Sequence, residues 1–212
     1  MHTPLIKICG ITNLDDAECA LEHKVDFLGF CFVLKSPRYI APDCAQWITE
    51  RLTDTETKKV GVFVNTPESR ILGIVEQCDL DIIQLHGDES PTVAQSLGVE
   101  RVWKALPVWN EDDLQKALSF PVAAILVDSI TSTNRGGTGT VGDWALTARL
   151  AHKRNVVLAG GLNPGNIASA IQQVRPYAVD VCSGIERSPG MKDYNRLCQF
   201  VKNVRRTARH TD

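Results

Sequence analysis

Residues 6–12 read Ile6-Lys7-Ile8-Cys9-Gly10-Ile11-Thr12, and this stretch decides the fold. A short apolar strand ends at a cysteine, a glycine turns the backbone, and a helix begins at once. Thr12 and Asn13 are good helix caps, and Asp15, Asp16 and Glu18 load the first turns with the negative charge that a helix start favours. The same stretch puts the Cys9 sulfur at the mouth of a strand, near a positive helix end. A thiol there ionises more easily than its reference pKa of about 8.5 implies. Cysteine is also a common small buried hydrophobe, so Cys9 has a structural reading beside the reactive one.

The strand-then-helix pattern recurs along the chain. Short β-type runs lie at 5–9, 27–32, 60–64, 82–86, 102–105, 124–128, 156–159 and 178–182. Amphipathic helix patterns lie between and after them, at 13–23, 42–52, 67–77, 90–97, 111–118, 144–152, 163–174 and 192–204. Thr66-Pro67, Ser90-Pro91 and Asn163-Pro164 supply a cap followed by proline in the first turn. Right-handed crossovers build a parallel sheet, and eight units in series close it into a (β/α)8 barrel. We therefore expect an α/β protein, with residues 1–212 forming a single-domain barrel. Most loops are short; those at 34–40 and 129–142 are the exceptions. An open doubly wound sheet is the alternative, and its dinucleotide version is weakened by the lack of an early Gly-x-Gly-x-x-Gly turn.

Composition narrows the function classes. The net charge of −2 is mixed along the chain, so no basic face for nucleic acid is expected. Arg205, Arg206 and Arg209 read as a solvated helix end. The seven cysteines are odd in number, scattered, and without Cys-x-x-Cys spacing. That argues against a disulfide framework and a zinc site, and it suits a reducing, cytoplasmic compartment. No signal-peptide core is visible, and no apolar run approaches the roughly 20 residues of a membrane span.

In such barrels chemistry sits where strands end, so the polar residues at those places are the candidates. Strand 7 runs into Gly160-Gly161 and strand 8 into Ser183-Gly184. These are the two places where barrels bind phosphate, and glycine lets bare N–H groups approach the oxygens. Tight turns are the plain alternative. Asp128 ends strand 6; an acid there either caps the next turn or points into a site. With Cys9 it would address one ligand from two directions, as a proton-shuffling isomerisation needs. Arg38 can clamp a carboxylate or lie solvated in its loop. His86 is an inward donor or a satisfied structural histidine. Lys7 shares the face of Cys9, and Asp180 in the last strand is its expected partner inside the barrel, within reach of a ligand. No metal-ligand cluster or cofactor motif stands out, so cofactor-free acid–base chemistry on a phosphorylated small molecule is expected.

Lys7-Ile-Cys-Gly-Ile-Thr12, Ser36-Pro-Arg38, Val60-Gly-Val-Phe-Val-Asn65 and Gln84-Leu-His-Gly-Asp-Glu89 closely resemble the phosphoribosylanthranilate isomerase family of tryptophan biosynthesis. The resemblance continues through Leu126-Val-Asp-Ser129, Gly136-Gly-Thr-Gly139, Leu158-Ala-Gly-Gly-Leu-Asn-Pro164 and Val179-Asp-Val-Cys-Ser-Gly-Ile-Glu186. Pro189-Gly190 and Lys192-Asp193 complete it. It implies an Amadori rearrangement of N-(5-phosphoribosyl)anthranilate to the 1-deoxyribulose 5-phosphate derivative. It makes Asp128 the general acid and Cys9 the general base. It gives Arg38 the anthranilate carboxylate, and Gly160, Gly161, Ser183 and Gly184 the phosphate. His86 and Asp180 are implied to line the site, and 129–142 to act as a lid. The implied partner is a small phosphoribosyl substrate, in a monomer or homodimer. Two departures stand out: Gly142 where the family commonly has an aromatic residue, and Cys182 where serine is common.

Two rivals follow from the same residues. An aldolase-like barrel would need a Schiff-base lysine, for which Lys7 and Lys104 are the candidates. A non-catalytic phosphosugar-binding module would need the glycine turns alone. Indole-glycerol-phosphate synthase, which shares the substrate family, is disfavoured by a chain that begins directly at strand 1.

Overall fold

The computed structural model describes residues 3–52, 55–128 and 144–209. Eight strands form a closed barrel, each pairing in parallel with the next and β8 returning to β1. In chain order the units are β1 (Leu5–Cys9) with α1 (Leu14–Glu22), β2 (Phe27–Cys31) with α2 (Pro42–Thr49), and β3 (Lys58–Phe63) with α3 (Glu68–Gln77). They continue with β4 (Ile82–Leu85) and α4 (Pro91–Ser96), β5 (Val102–Ala105) and α5 (Glu111–Ser119), and β6 (Ala124–Asp128) and α6 (Trp144–Ala151). The last are β7 (Val156–Ala159) with α7 (Ile167–Val174), then β8 (Ala178–Val181). A small antiparallel pair, β9 (Glu186–Ser188) and β10 (Met191–Lys192), precedes α8 (Tyr194–Arg209).

Local chemistry explains the element starts. The Asn13 side chain accepts from Asp16 N at 2.9 Å and caps α1. Ser90 caps α4 ahead of Pro91, and Asn110 caps α5 ahead of three acids. Two expected helices begin later than their patterns suggest. Before α7, Asn163 Oδ1 accepts from Gly165 N at 2.8 Å and Asn166 Oδ1 from Asn163 N at 2.9 Å, so side chains close a turn where the first helical turn was expected. Before α8, Lys192 belongs to β10, and the helix waits for Tyr194.

Strand alternation sorts the interior. Outward residues such as Ile8, Leu28, Phe30, Ile83 and Leu85 pack beneath the helices in the main core. Inward residues Phe27, Val60, Ile82, Trp103, Ala124, Leu126, Val157 and Ala178 form a second cluster inside the barrel. Phe27 and Trp103 meet edge to face there, with ring centroids 4.9 Å apart. One step further along the strands the inward positions turn polar: Lys7, Gln84 and Asp180, then Cys9, His86 and Asp128. The barrel is therefore a packed apolar floor carrying a polar layer at the C-terminal ends of its strands. The expected 129–142 loop lies outside the described residues.

Candidate active site

The register of β1 against β8 pairs Lys7 with Asp180 across the closing seam of the barrel. Lys7 is fully buried. Its Nζ donates to Asp180 Oδ2 at 3.0 Å, to Gln84 Oε1 at 2.8 Å and to Cys9 Sγ at 3.3 Å. Burial pulls the ammonium's pKa down, but Asp180 and Cys9 outweigh it and hold Lys7 above its ordinary value. The sequence expectation of a Lys7–Asp180 pair is met. The charge that reaches Cys9 is thus a lysine inside the barrel.

Cys9 titrates lower than an ordinary thiol, at about 7. Hydrogen bonding from the Cys182 thiol does most to lower it; burial opposes, and Lys7 adds to the lowering. The low value was expected from the sequence, but on the ground of a helix end, and the neighbours named here do that work. Cys182 moves the opposite way: its bond to Cys9 and its burial both push it up.

Gln84 links this cluster to His86. Its Oε1 faces the Lys7 ammonium, so its amide Nε2 faces His86 Nδ1, at 3.0 Å. Nδ1 must then accept, which leaves the proton on Nε2. Burial, followed by the charge of Lys7, lowers the His86 pKa and keeps the ring neutral.

These side chains open on one cavity of about 300 Å³ at the C-terminal mouth of the barrel. Cys9, Gln84, His86, Asp128, Asp180 and Cys182 line it together with Gly160, Gly161 and Ser183. Asp180 Oδ1 is buried there without a hydrogen-bond partner. The loops after β7 and β8 meet at the same rim. Gly160 and Gly161 turn with φ of +86° and +59°. A Cβ at Gly184 would lie 1.9 Å from the Leu162 carbonyl oxygen, so only glycine lets the two loops touch. The Gly161 carbonyl accepts from Asn163 Nδ2 and Asn166 Nδ2, at 3.1 and 2.9 Å, which pins the turn.

Arg38 and Gly184 are the two candidates that do not line this cavity. Arg38 sits next to it: a Cβ at Gly10 would lie 2.8 Å from Arg38 Cδ and 2.9 Å from Cys182 Sγ. Its Nε and Nη2 donate to the Glu186 carboxylate, with Nη2 at 2.6 Å from Oε2. Lys192 Nζ donates to the same carboxylate at 2.9 Å and to the Cys9 carbonyl at 2.5 Å. Burial pushes the Glu186 carboxyl up, but Arg38 and Lys192 outweigh it and hold it at about 2. Gln84, Glu186 and Lys192 were not among the sequence candidates. Gln84 could have been found as the polar residue alternating inward in an apolar strand. Lys192 and Glu186 carry no such signal, because the β9–β10 pair that delivers them is short and irregular. Lys104, the other Schiff-base candidate, is tied to Glu89 at 3.1 Å and to the Gly87 carbonyl at 2.6 Å, away from the cavity lining.

A closed parallel barrel whose polar residues converge on the C-terminal mouth is the architecture of a (β/α)8 enzyme. The family model described as N-(5'-phosphoribosyl)anthranilate isomerase matches residues 6–203, and the chain belongs to that family. The isomerase of Pelobacter propionicus is 43% identical over 202 residues, covering 95% of this chain and 96% of its own. That of Thermotoga maritima is 43% identical over 203 residues, covering 94% and 98%. The solved Thermotoga maritima enzyme superimposes with a TM-score of 0.87 at 42% identity, covering 95% of this chain and 98% of that one. A phosphoribosyl anthranilate isomerase solved in complex with reduced 1-(o-carboxyphenylamino)-1-deoxyribulose 5-phosphate gives 0.85 at 40% identity, covering 95% and 98%. The chain is an aldose–ketose isomerase of tryptophan biosynthesis.

Proposed function

We propose that Asp128 is the general acid and Cys9 the general base of this isomerisation. The observation that carries the assignment is that both groups line one cavity with the glycine turns after β7 and β8. Asp128 gives a proton to the ribose ring oxygen, the C1–O bond opens, and the anilino nitrogen becomes an imine. The imine acidifies the neighbouring C2–H. Cys9, as the thiolate beside Lys7, takes that proton, and the enolamine goes on to the ketone. A pKa of about 7 suits a base at neutral pH, because enough thiolate is present without a large loss of basicity.

The substrate on this reading is a small phosphoribosyl molecule, of the kind in the solved complex of the relative. Main-chain amides at Gly160, Gly161, Ser183 and Gly184 hold its phosphate. Glu186 occupies the Nε side of Arg38, so the Nη1 edge is what Arg38 presents to the anthranilate carboxylate. Asp180 Oδ1 and the Nε2–H of neutral His86 are an acceptor and a donor for the sugar. We read residues 1–212 as one domain, working in the cytoplasm as a monomer or homodimer without a cofactor. Among the described residues no helix is long and apolar enough to cross a membrane.

The test is a fluorescence assay with freshly prepared phosphoribosylanthranilate. Cys9→Ala and Asp128→Ala should each lower kcat at least roughly 100-fold, with much smaller changes in KM. Normal turnover by both variants would end the assignment.

A further inference from the structure

Cys9 is the last residue of β1 and Cys182 the first after β8. The register pairs Lys7 with Asp180 and Ile8 with Val181, and one further step sets Cys9 beside Cys182. Both side chains line the same cavity, and none of the other five cysteines does. Neighbouring strands run about 4.8 Å apart, within the Cα spacing of about 4.4–6.8 Å that a disulfide spans. The position a Cβ would take on Gly10 is 2.9 Å from Cys182 Sγ, so that thiol lies over the residue following Cys9. Two buried cations flank the pair. Lys7 Nζ is 3.3 Å from Cys9 Sγ, and Lys192 Nζ is 3.9 Å from Cys182 Sγ, which also donates to the Glu186 carboxylate at 3.6 Å.

We propose that Cys9 and Cys182 form an oxidative modification site, in which hydrogen peroxide converts the two thiols to a reversible disulfide across the mouth of the barrel. Its effect on turnover rests on the reading of Cys9 as base; the disulfide itself does not. The Cys9 thiolate attacks a peroxide oxygen, an S–O bond forms, the O–O bond breaks, and the leaving hydroxide takes up a proton as water. Cys9 is then a sulfenic acid, oxidised by two electrons. Its negative charge is gone, and with it the main interaction that holds the proton on Cys182. The Cys182 sulfur attacks the Cys9 sulfur, the S–S bond forms, and hydroxide leaves with the Cys182 proton as a second water. Two thiols and one peroxide yield one disulfide and two waters. The second sulfur therefore intercepts Cys9 before a further peroxide carries it to the irreversible sulfinic acid.

The test treats reduced full-length enzyme with hydrogen peroxide, alkylates it, and digests it without reductant. A peptide joining Cys9 to Cys182 is expected. Activity should be almost wholly lost, and dithiothreitol should return almost all of it. Cys182→Ser, compared with its own untreated rate, should lose activity to the same dose, gain a sulfinic acid at Cys9, and recover little. Absence of the cross-linked peptide, or recovery of Cys182→Ser as complete as that of the parent, would overturn the proposal. If the cross-linked enzyme kept its full rate, the disulfide would stand and the role of Cys9 as base would fall.

Discussion

Lys7 is an unusual residue to find fully buried, and its neighbours explain it. A buried ammonium is tolerated when it is paired and its protons are satisfied, and Asp180, Gln84 and Cys9 do both. The Cys182 thiol does most to lower the pKa of Cys9, and the Lys7 ammonium adds to it, so that the sulfur can act as a base near neutral pH. A pH dependence follows. The base must be unprotonated, so kcat/KM should fall as pH drops through about 7, where Cys9 takes up its proton. Lys7→Met removes a cation 3.3 Å from the sulfur and should move that acidic limb to higher pH. Lys7→Arg, which keeps the charge, should move it less. A pH–rate profile of the three proteins decides this, and an unmoved limb in Lys7→Met would show that the lysine does not set the thiol.

At the scale of elements, the loops after β7 and β8 carry the site by touching each other. Gly184→Ala would drive a methyl into the Leu162 carbonyl, 1.9 Å from the ideal Cβ. The β7 loop must shift, and KM should rise about tenfold or more while kcat changes less, since displaced amides lose binding rather than chemistry. An unchanged KM in steady-state assays would remove the phosphate role from this rim. The β9–β10 pair makes a second prediction through Glu186. Its carboxyl is held at about 2 in the folded protein, below the ordinary value of about 4.3. A lowered acid stabilises the fold above its unfolded pKa and loses that contribution as pH falls towards its folded one. Glu186→Gln should therefore cost about 2 kcal/mol near neutrality, allowing for solvent around Arg38. The gap between the two proteins should close as pH drops from about 5 to about 2. Urea unfolding across that range measures it, and a pH-independent gap would deny the pairing its role.

At the scale of the whole molecule, the barrel needs its floor. Phe27 and Trp103 come from strands on different sides of the ring and meet inside it, both nearly inaccessible to water. Trp103→Ala should cost about 3–5 kcal/mol, because the closed sheet around it cannot collapse into the void. Thermal unfolding should register the loss in full, while the activity of the surviving folded fraction stays close to normal. A small change in stability would mean that the interior is looser than its burial implies. This separation of a stabilising floor from a reactive mouth is what lets one ring of strands carry the isomerase chemistry.

How much of this was legible in the chain differs from residue to residue. Cys9, His86, Asp128 and Asp180 were visible because each sits at an inward position at or near a strand's C-terminal end, and inward positions follow from a period of two. The strand and helix units were visible for the same reason, with boundaries that moved where side chains competed with the backbone, as Asn163 and Asn166 do before α7. Glu186 and Lys192 were hidden, because they reach Arg38 and Cys9 through a two-stranded pair that no periodicity announces. The eight-fold alternation, and so the barrel and the end at which its chemistry gathers, follows from local patterning along the chain. Which charges act on which groups is set by the folded barrel alone. Lys7 meets Gln84 across 77 positions and Asp180 across 173, and Cys9 meets Cys182 only because β8 closes on β1. Electrostatic coupling depends on distances in space, and local patterning along a chain contains no record of them.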